Sequence, residues 1–528
     1  MFKAIIESSK TGLLAFVFGL SFIAISSSAL AETPKKGGTL VVGFTVAPRS
    51  LNPAVQSGAP TGLPGTQLFA SPLRYDENWN PQPYLATSWE TSEDGLALTL
   101  RLRENATFHD GKPVTSEDVA FSLMAIKEHH PFKAMFEPVE GVDTPDAHTA
   151  IIRLSRPHPA IMLALSPALS PILPKHIYGD GQPLKTHPMN LKPVGSGPFK
   201  FVEYAEGKHL VLERYDDYFL EGLPHLDRII YKYNQDSSSQ SLEMERGDLD
   251  VRALVGKPRE LQRHRKNKSL TVTDEGHAAI GVISWLAFNL NHEILRHKDV
   301  RQAIAYAIDL DFIDNALYGG FATPASGPIS MDSPLADQNP KLYNLDLDKA
   351  NKMLDDAGYP RNSEGVRFGL TLDMLGSMRI VGEYIKPQLK KVGIDIELRI
   401  PPDFSTWSGW VANHDFDMTL DIVFNWADPV IGVNRTFMST NINKGVIWSN
   451  TQSYSNPKVD ELLEAGAVEL DSEKRKELYA EFQQIVTEEL PVYWINKVPY
   501  HTVYNNRVKH TPESIWGLLS PFDEVYLD

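Results

Sequence analysis

The sequence predicts a mixed α/β protein built from several domains. Stretches that alternate apolar and polar residues, as half-buried strands do, are interspersed along the chain with stretches of helical periodicity. Of the 528 residues, 42% are hydrophobic and 22% are charged, a composition typical of globular proteins and not of disordered ones. At about 100–200 residues per domain, this length accommodates two to four domains, each able to bury a core.

Individual elements follow from local patterns along the chain. Glycine-bounded or alternating apolar runs predict strands in four segments: Gly37–Phe44, Ala97–Leu102, Asp395–Ile400 and Leu420–Phe424. Helical periodicity is clearest in three: the stretch that follows Thr115, Ala303–Leu317 and Leu462–Val486. Prolines and glycines make Arg49–Gly65 a predicted long irregular loop, and such loops in compact proteins usually carry function.

Charge and cysteine content exclude several classes of protein. The formal net charge is −16, so a phosphate backbone would be repelled and nucleic-acid binding is not expected. The chain has no cysteine, which excludes a disulfide scaffold, a cysteine nucleophile and a thiolate metal site. No metal or cofactor is therefore expected to be needed for folding.

The amino terminus predicts export from the cytoplasm. Lys3 and Lys10 precede the apolar run Leu13–Ile25, and Ala29-Leu30-Ala31 has the form of a cleavage site, so residues 1–31 are a predicted signal peptide. A membrane anchor is the alternative, but the run is shorter than the ~20 residues that a spanning helix needs. Without a cysteine to acylate, the mature protein is not expected to be a lipoprotein, and in a two-membrane bacterium its compartment would be the periplasm.

Four widely spaced segments carry a family resemblance. They are Leu85–Val119, with the runs A-T-S-W-E and F-H-D-G-K-P-V-T-S-E-D-V; Val194–Phe201, with G-S-G-P-F; Leu286–Asp309, with D-V-R-Q-A-I; and Trp426–Pro429, with W-A-D-P. In their order and content these segments resemble the extracytoplasmic solute-binding proteins of family 5, which serve ABC importers for oligopeptides, dipeptides, nickel complexes and related solutes. The resemblance covers nearly the whole mature chain.

The resemblance implies a fold and a division into domains. The expected fold is the two-lobed periplasmic binding protein fold, in the class with an extra domain, with a ligand cleft between domains I and III. Domain I would be discontinuous, and the implied bounds are residues 32–71, 195–283 and 499–528 for domain I, 72–194 for domain II and 284–498 for domain III.

The function implied by the resemblance is that of a binding protein and not of an enzyme. It would be a monomer that captures a peptide or peptide-like small solute by hinge closure and delivers it to an ABC permease in the inner membrane. A periplasmic sensor that docks on a receptor is one alternative. An exported hydrolase is another, although the sequence has no H-E-x-x-H, no G-x-S-x-G and no compact metal-ligand spacing.

Candidate ligand-binding residues concentrate after residue 395. Aromatic faces can clasp a ligand and charged groups can anchor it, and the candidates are Asp428, Trp426, Trp407, Trp410, Trp448, Asn425 and Arg435. Asp421 is a second possible anionic anchor for a cation. Because tryptophan is usually largely buried, core packing is the alternative for each of the four tryptophans.

The identity of the solute stays open. In peptide-binding relatives an aspartate in a W-x-x-D context grips the peptide amino group, whereas Trp426 and Asp428 give W-x-D. Peptides, opines, sugar conjugates, glutathione-like thiols and nickel chelates all remain candidates, because a fold does not fix its ligand.

Two further features have structural interpretations. His109 beside Asp110 lacks a third catalytic or metal-binding partner, and Gly195–Pro198 is interpreted as a sharp turn between domains. A cluster of basic residues is expected to be a solvated surface, with a docking patch for the permease as the alternative; it comprises Lys257, Arg259, Arg263, Arg265, Lys266 and Lys268.

Overall fold

The computed structural model describes residues 34–528. The predicted signal peptide, residues 1–31, lies outside the described residues. The strands, in chain order, are β1 (Thr39–Phe44), β2 (Leu73–Tyr75), β3 (Pro81–Pro83), β4 (Ala86–Thr91), β5 (Ala97–Leu102), β6 (Val139–Asp146), β7 (Thr149–Leu154), β8 (Phe199–Ala205), β9 (His209–Arg214), β10 (Arg228–Tyr233), β11 (Val251–Val255), β12 (Leu270–Thr273), β13 (Val282–Phe288), β14 (Thr323–Pro324), β15 (Phe368–Met374), β16 (Ile394–Arg399), β17 (Met418–Phe424), β18 (Val492–Lys497), β19 (His501–Asn505), β20 (Val508–Lys509) and β21 (Tyr526–Leu527).

Helices alternate with these strands along the chain, as the sequence predicts. They are α1 (Ala59–Leu68), α2 (Ser116–His129), α3 (Ala160–Ala164), α4 (Lys175–Tyr178), α5 (Ser237–Arg246), α6 (Pro258–Arg265), α7 (Lys298–Tyr306), α8 (Leu310–Phe312), α9 (Leu347–Asp356), α10 (Arg379–Lys391), α11 (Phe404–Ala412), α12 (Pro429–Gly432), α13 (Asn434–Phe437), α14 (Pro457–Val468) and α15 (Ser472–Glu489).

Three sheets organise the described chain. A seven-stranded sheet has the order β12-β19-β11-β1-β10-β9-β8, a six-stranded sheet the order β14-β18-β13-β17-β15-β16, and a four-stranded sheet the order β4-β5-β7-β6. The strands of the seven-stranded sheet come from predicted domain I, those of the six-stranded sheet from domain III and those of the four-stranded sheet from domain II. The one exception is that β13 begins at Val282, before the predicted boundary at residue 284. This match supports the domain bounds, which remain a proposal.

The chain crosses between the two large sheets twice. Residues 274–281 lead from β12 into β13, and residues 498–500 lead from β18 into β19. The two crossings are joined at the point where Val498 N donates to Val282 O, over 3.1 Å. A pair of hydrogen-bonded crossing segments is a suitable hinge, because few backbone dihedrals there separate one sheet from the other.

Local sequence explains where several elements begin. β1 lies between two parallel neighbours, β10 and β11, and its run T-L-V-V-G-F has the apolar content of a strand inside a sheet. At the start of α2, Thr115 N donates to Asp118 Oδ2 over 2.9 Å, which is half of a capping box. The predicted strands and the helix after Thr115 are therefore present.

Three local predictions need correction. The predicted loop Arg49–Gly65 runs into the buried helix α1, because Pro60 lies in the first turn, where a missing N–H costs nothing. The predicted helix Leu462–Val486 is two helices, and Asp471 caps the second by accepting from the backbone N–H of the second and third residues after it. The predicted helix Ala303–Leu317 is interrupted after Tyr306, and a new cap forms at Asp309.

His109 joins two of the family-like segments and is structural. Its Nε2 lies 3.1 Å from Gly197 O, and Gly195 N donates to its Nδ1 over 3.1 Å. Burial lowers the pKa of His109 to about 4, so the ring is neutral and can accept from one glycine while donating to the other. The turn at Gly195–Pro198 is thereby held against the four-stranded-sheet domain.

We expect Gly195→Ala to lower the free energy of unfolding by about 3 kcal/mol. A methyl group at this position would overlap the Leu68 carbonyl oxygen, which is backbone and cannot rotate away. Urea denaturation measures the effect. Gly141→Ala is the control, because a methyl group there has no atom within 4 Å. Equal stability of the two variants would contradict the predicted overlap between a methyl group at residue 195 and the Leu68 carbonyl oxygen.

Candidate ligand-binding site

The turn that follows β17, residues 425–428, is docked on the first chain crossing. Asn425 N donates to Ile280 O over 3.0 Å, and Ala427 N donates to Ala279 O over 2.5 Å. Ala427 is therefore hydrogen-bonded to the first chain crossing, which leads from β12 into β13. Rotation of the backbone at this crossing would therefore move the turn.

The backbone of this turn adopts a conformation that L-amino acids disfavour. Trp426 has φ 51° and Ala427 has φ 70°, and two consecutive non-glycine residues in the left-handed region are unusual. Such conformations persist only where surrounding contacts over-determine them, and they are concentrated at binding and catalytic sites. Here the hydrogen bonds to Ala279 and Ile280 supply those contacts.

Trp426 packs against aromatic side chains from all three proposed domains. Its ring centroid lies 5.1 Å from Phe132, 5.8 Å from Phe424 and 6.5 Å from Trp516. Trp426 is 6% exposed and packs into the hydrophobic core that runs through the seven-stranded and four-stranded sheets. The aromatic cluster of Trp426, Phe132, Phe424 and Trp516 therefore joins the lobes of the molecule.

Asp428 does not present a free carboxylate, which corrects the expectation that it anchors a ligand amine. It is fully buried and forms a bidentate ion pair with Arg475, in which Nη1 donates to Oδ2 over 2.8 Å and Nη2 to Oδ1 over 2.9 Å. Val430 N also donates to Oδ1, at 3.0 Å, which caps α12. Both carboxylate oxygens are thus occupied within the protein.

Asn425 and Trp407 also have internal partners. The side-chain Oδ1 of Asn425 accepts from Ser330 N over 2.6 Å, and its Nδ2 donates to Pro328 O over 3.0 Å. Trp407 is fully buried, and its Nε1 donates to Thr419 Oγ1 over 3.1 Å. For these two residues the structure favours the core-packing or supporting role over ligand contact.

Trp410 and Trp448 are partly exposed, and each contacts a different set of residues. The Arg399 guanidinium stacks over Trp410 at 4.2 Å. Trp448 has φ 56°, lies 6.0 Å from the Phe404 ring, and points its Nε1 to Asp421 Oδ1 over 3.5 Å. Trp448 therefore contacts Asp421, whereas Trp410 packs against Arg399.

Asp421 and Arg435 are two opposite charges of this region, and Arg435 contacts the aromatic cluster. Burial raises the pKa of Asp421 to about 7, and the nearby Arg435 only partly opposes that rise. Burial also lowers the pKa of Arg435 to about 10, with Asp421 acting in the other direction. The Arg435 guanidinium lies 5.2 Å from the centroid of the Phe132 ring, so it reaches the four-stranded-sheet domain.

Three residues of this region escaped the sequence analysis. Phe132 and Trp516 complete the aromatic cluster, and Arg475 neutralises Asp428. Phe132 and Trp516 lie far from Trp426 in sequence and carry no motif, so only the folded chain brings them together. Arg475 lies on α15 in a stretch of charged residues that looks like a solvated surface.

Metal-ligand groups and membrane-spanning helices are both missing from the described part of the chain. Among residues 34–528, no three histidine or carboxylate side chains are grouped as metal ligands. In the same part of the chain, no helix combines the length and the apolar character needed to cross a bilayer. The basic cluster extends from Lys257, which precedes α6, through α6 to the turn after it, and all six side chains are exposed.

Two large sheets joined by paired chain crossings can close over a ligand held between them. Residues 80–444 match the family described as bacterial extracellular solute-binding proteins, family 5 Middle, and the chain belongs to this family. Members of the family are solute-binding components of import systems and work outside the cytoplasm. The predicted family and fold are thereby confirmed.

Relatives and solved structures agree with this assignment over almost the full length. The oligopeptide-binding protein AppA of Bacillus subtilis is 28% identical over 522 residues, covering 93% of this chain and 91% of that protein. The substrate-binding protein CtaP of Listeria monocytogenes has a TM-score of 0.81 at 26% identity, covering 93% and 100% of the two chains. NikZ of Campylobacter jejuni, solved with Ni(L-His), has a TM-score of 0.79 at 26% identity, covering 92% and 97%.

We expect Asp428→Ala to destabilise the ligand-free protein by about 3–5 kcal/mol, because it leaves the buried Arg475 guanidinium without its counter-charge. Urea denaturation measures the loss. Glu461→Ala removes the exposed partner of Lys458 and should cost less than about 1 kcal/mol. A stable Asp428→Ala protein that has lost solute binding would show that Asp428 is a ligand anchor after all.

The stability of the wild-type protein should fall relative to that of Asp421→Asn as the pH rises from about 4 to about 7. Because the folded-state pKa of Asp421 is about 7 and the ordinary value is 3.8, the folded protein keeps a proton that the unfolded chain releases. The difference should grow by about 1.4 kcal/mol per pH unit in this window. Urea denaturation of both proteins from about pH 4 to about pH 7 tests this prediction, and the exposed substitution Asp356→Asn is the control. If the free energies of unfolding of the wild type and Asp421→Asn differ by the same amount at every pH, the raised pKa of Asp421 is contradicted.

Proposed function

We propose that this protein is the solute-binding component of an ABC import system. It captures a peptide or peptide-like small solute between its lobes and delivers it to a permease in the inner membrane. The observation that carries this proposal is the aromatic cluster around Trp426, which joins residues of all three proposed domains and is contacted by the charged side chain of Arg435. A solute at this junction would touch both lobes at once.

Hinge closure supplies the mechanism. A solute that contacts both lobes only in the closed form shifts the open–closed equilibrium by its difference in affinity for the two forms. The hydrogen bonds between residues 425–427 and the crossing at 279–281 tie the aromatic cluster to the hinge. Rotation at the crossings would therefore separate Trp426 from Phe132 and open the site.

The remaining parts of the proposal concern location and state. The protein acts as a monomer in the periplasm after removal of residues 1–31, and it has no catalytic activity. Its domain bounds are those implied by the family resemblance, which the strand composition of the three sheets supports. A peptide or amino-acid-like solute is supported by the relatives, since AppA is named for oligopeptide binding and NikZ was solved with a nickel–histidine complex. Import is preferred over sensing because several relatives, CtaP among them, are named as ABC transporter binding proteins.

Native mass spectrometry of the protein purified from its own periplasm, without refolding, tests the proposal. A closed cleft retains its solute, so we expect a bound mass that disappears after partial unfolding and dialysis. A protein that carries no small molecule and is not stabilised by any peptide or amino acid would contradict the proposal. Loss of solute uptake in a deletion strain supports import, and normal uptake with a lost transcriptional response would support sensing.

A further inference from the structure

The basic cluster presents a stripe of cations on one side of α6. Arg259, Arg263 and Lys266 follow one another at spacings of four and three residues, which places them on the same side of the helix. Lys266 directly follows the helix and keeps helical backbone angles. Leu261 and His264 lie on the opposite side and are buried. The stripe of cations therefore faces the solvent.

This surface carries no exposed negative charge. Between residues 257 and 269 the one carboxylate is that of Glu260, which is 7% exposed and lies 2.6 Å from Arg252 Nη2. All six cations of the cluster are exposed, in a chain whose formal net charge is −16. The cluster is therefore a positive patch on an acidic protein.

Half of the basic cluster is not used to hold the fold. Three members contact a partner within the protein, and they are Lys257 with Glu260, Arg263 with Glu245 and Arg265 with the ring of Phe321. The side chains of Arg259, Lys266 and Lys268 form no hydrogen bond, and no ion pair within 4.0 Å, to any of residues 34–528. These three charges are available to a partner outside the protein.

Helix stability does not account for the patch. Cations near the carboxyl end of a helix are stabilising, because they oppose the partial negative charge of the helix dipole at that end. Arg259, however, lies in the first turn of α6, where the same dipole disfavours a cation, and Lys268 lies beyond the helix. A contact outside the protein explains why both positions are nevertheless basic.

The composition of the patch favours binding by charge alone. None of the large apolar side chains that the described chain exposes lies between residues 257 and 269, whereas a protein–protein interface is usually centred on aromatic or apolar anchors. Anionic lipid headgroups need no such anchor, because they attract lysine and arginine side chains individually. The patch therefore fits a lipid surface better than a protein surface.

The acidic remainder of the chain does not prevent such a contact. At physiological ionic strength the Debye length is about 8 Å, so a membrane interacts chiefly with the charges that face it. α6 packs on β12, at the edge of the seven-stranded sheet. A membrane that contacts the patch would therefore be approached by this edge of the molecule.

We propose that the basic cluster is a docking surface for an anionic phospholipid bilayer. Arg259, Lys266 and Lys268 contact the lipid phosphate groups, and the other three cations add to the local positive potential. The contact is reversible and peripheral, because the patch exposes no large apolar side chain that could insert. It would concentrate the protein at the membrane, where a permease lies. This inference goes beyond the proposed function and does not depend on the identity of the solute.

Co-sedimentation with lipid vesicles tests the proposal, using the protein without residues 1–31. One set of vesicles is phosphatidylcholine, and the other is phosphatidylcholine and phosphatidylglycerol in equal parts. We expect binding to the anionic vesicles only. Raising the salt concentration from about 0.05 M to about 0.5 M should abolish this binding, because the Debye length shortens.

The variant that carries Arg259→Gln, Lys266→Gln and Lys268→Gln removes the three unpaired charges of the patch. We expect it to bind the anionic vesicles at least about tenfold more weakly than the wild type, because each cation near an anionic surface adds to the binding free energy. Its unfolding midpoint in urea should equal that of the wild type. If this variant fails to fold, Lys266→Gln with Lys268→Gln leaves α6 intact and should bind at least about threefold more weakly.

The matched control carries Lys192→Gln, Lys386→Gln and Lys476→Gln. It removes the same total charge from three exposed positions that lie outside the patch, and it should bind the anionic vesicles as the wild type does. Equal binding by the patch variant and the wild type, or equal binding of the wild type to the two kinds of vesicle, would overturn the proposal. Binding to neither kind of vesicle would also overturn it and would favour an acidic protein as the partner of the patch.

Discussion

The docking of the turn 425–428 on the chain crossing at 279–281 is the constraint on which the rest of the site depends. Its backbone hydrogen bonds force Trp426 and Ala427 into the left-handed region. That conformation directs the Trp426 ring into the core shared by the other two sheets. It also orients Asp428 toward Arg475, so that one short segment carries the lobe junction, a helix cap and a buried ion pair.

The charged side chains of this region are of two kinds: those that form an ion pair within the protein and those that do not. Asp428 and Arg475 neutralise each other with two short hydrogen bonds, a geometry in which removal of one partner is far more costly than the pair is stabilising. Among the described residues, Asp421 on β17 and Arg435 on α13 form no ion pair within 4.0 Å. The difference distinguishes Asp428, a structural aspartate in the turn after β17, from Asp421, a candidate anchor on β17 itself.

Much of the fold follows from the sequence, because local signals are strong where strands and caps are regular. Ala97–Leu102 coincides with β5, and Thr115 precedes α2, since alternation and capping are local properties. α1 was missed because Pro64 in its interior suggests a loop. The pairing of Asp428 with Arg475, 47 residues apart, has no local signal, so the best sequence candidate for a ligand anchor is a structural residue. Asp421 and Arg435 were named, but the sequence does not show that they lack partners.

The ring of His109 gives the family-like segments a mutual dependence. It is clamped between the backbone of Gly195 and that of Gly197, so the domain that contains it cannot be exchanged alone. A chimera that takes residues 72–194 from a relative also has to take the turn at residues 195–198, or it places an uncharged imidazole against a surface that no longer matches. Segment boundaries for recombination in this protein therefore fall beyond Pro198.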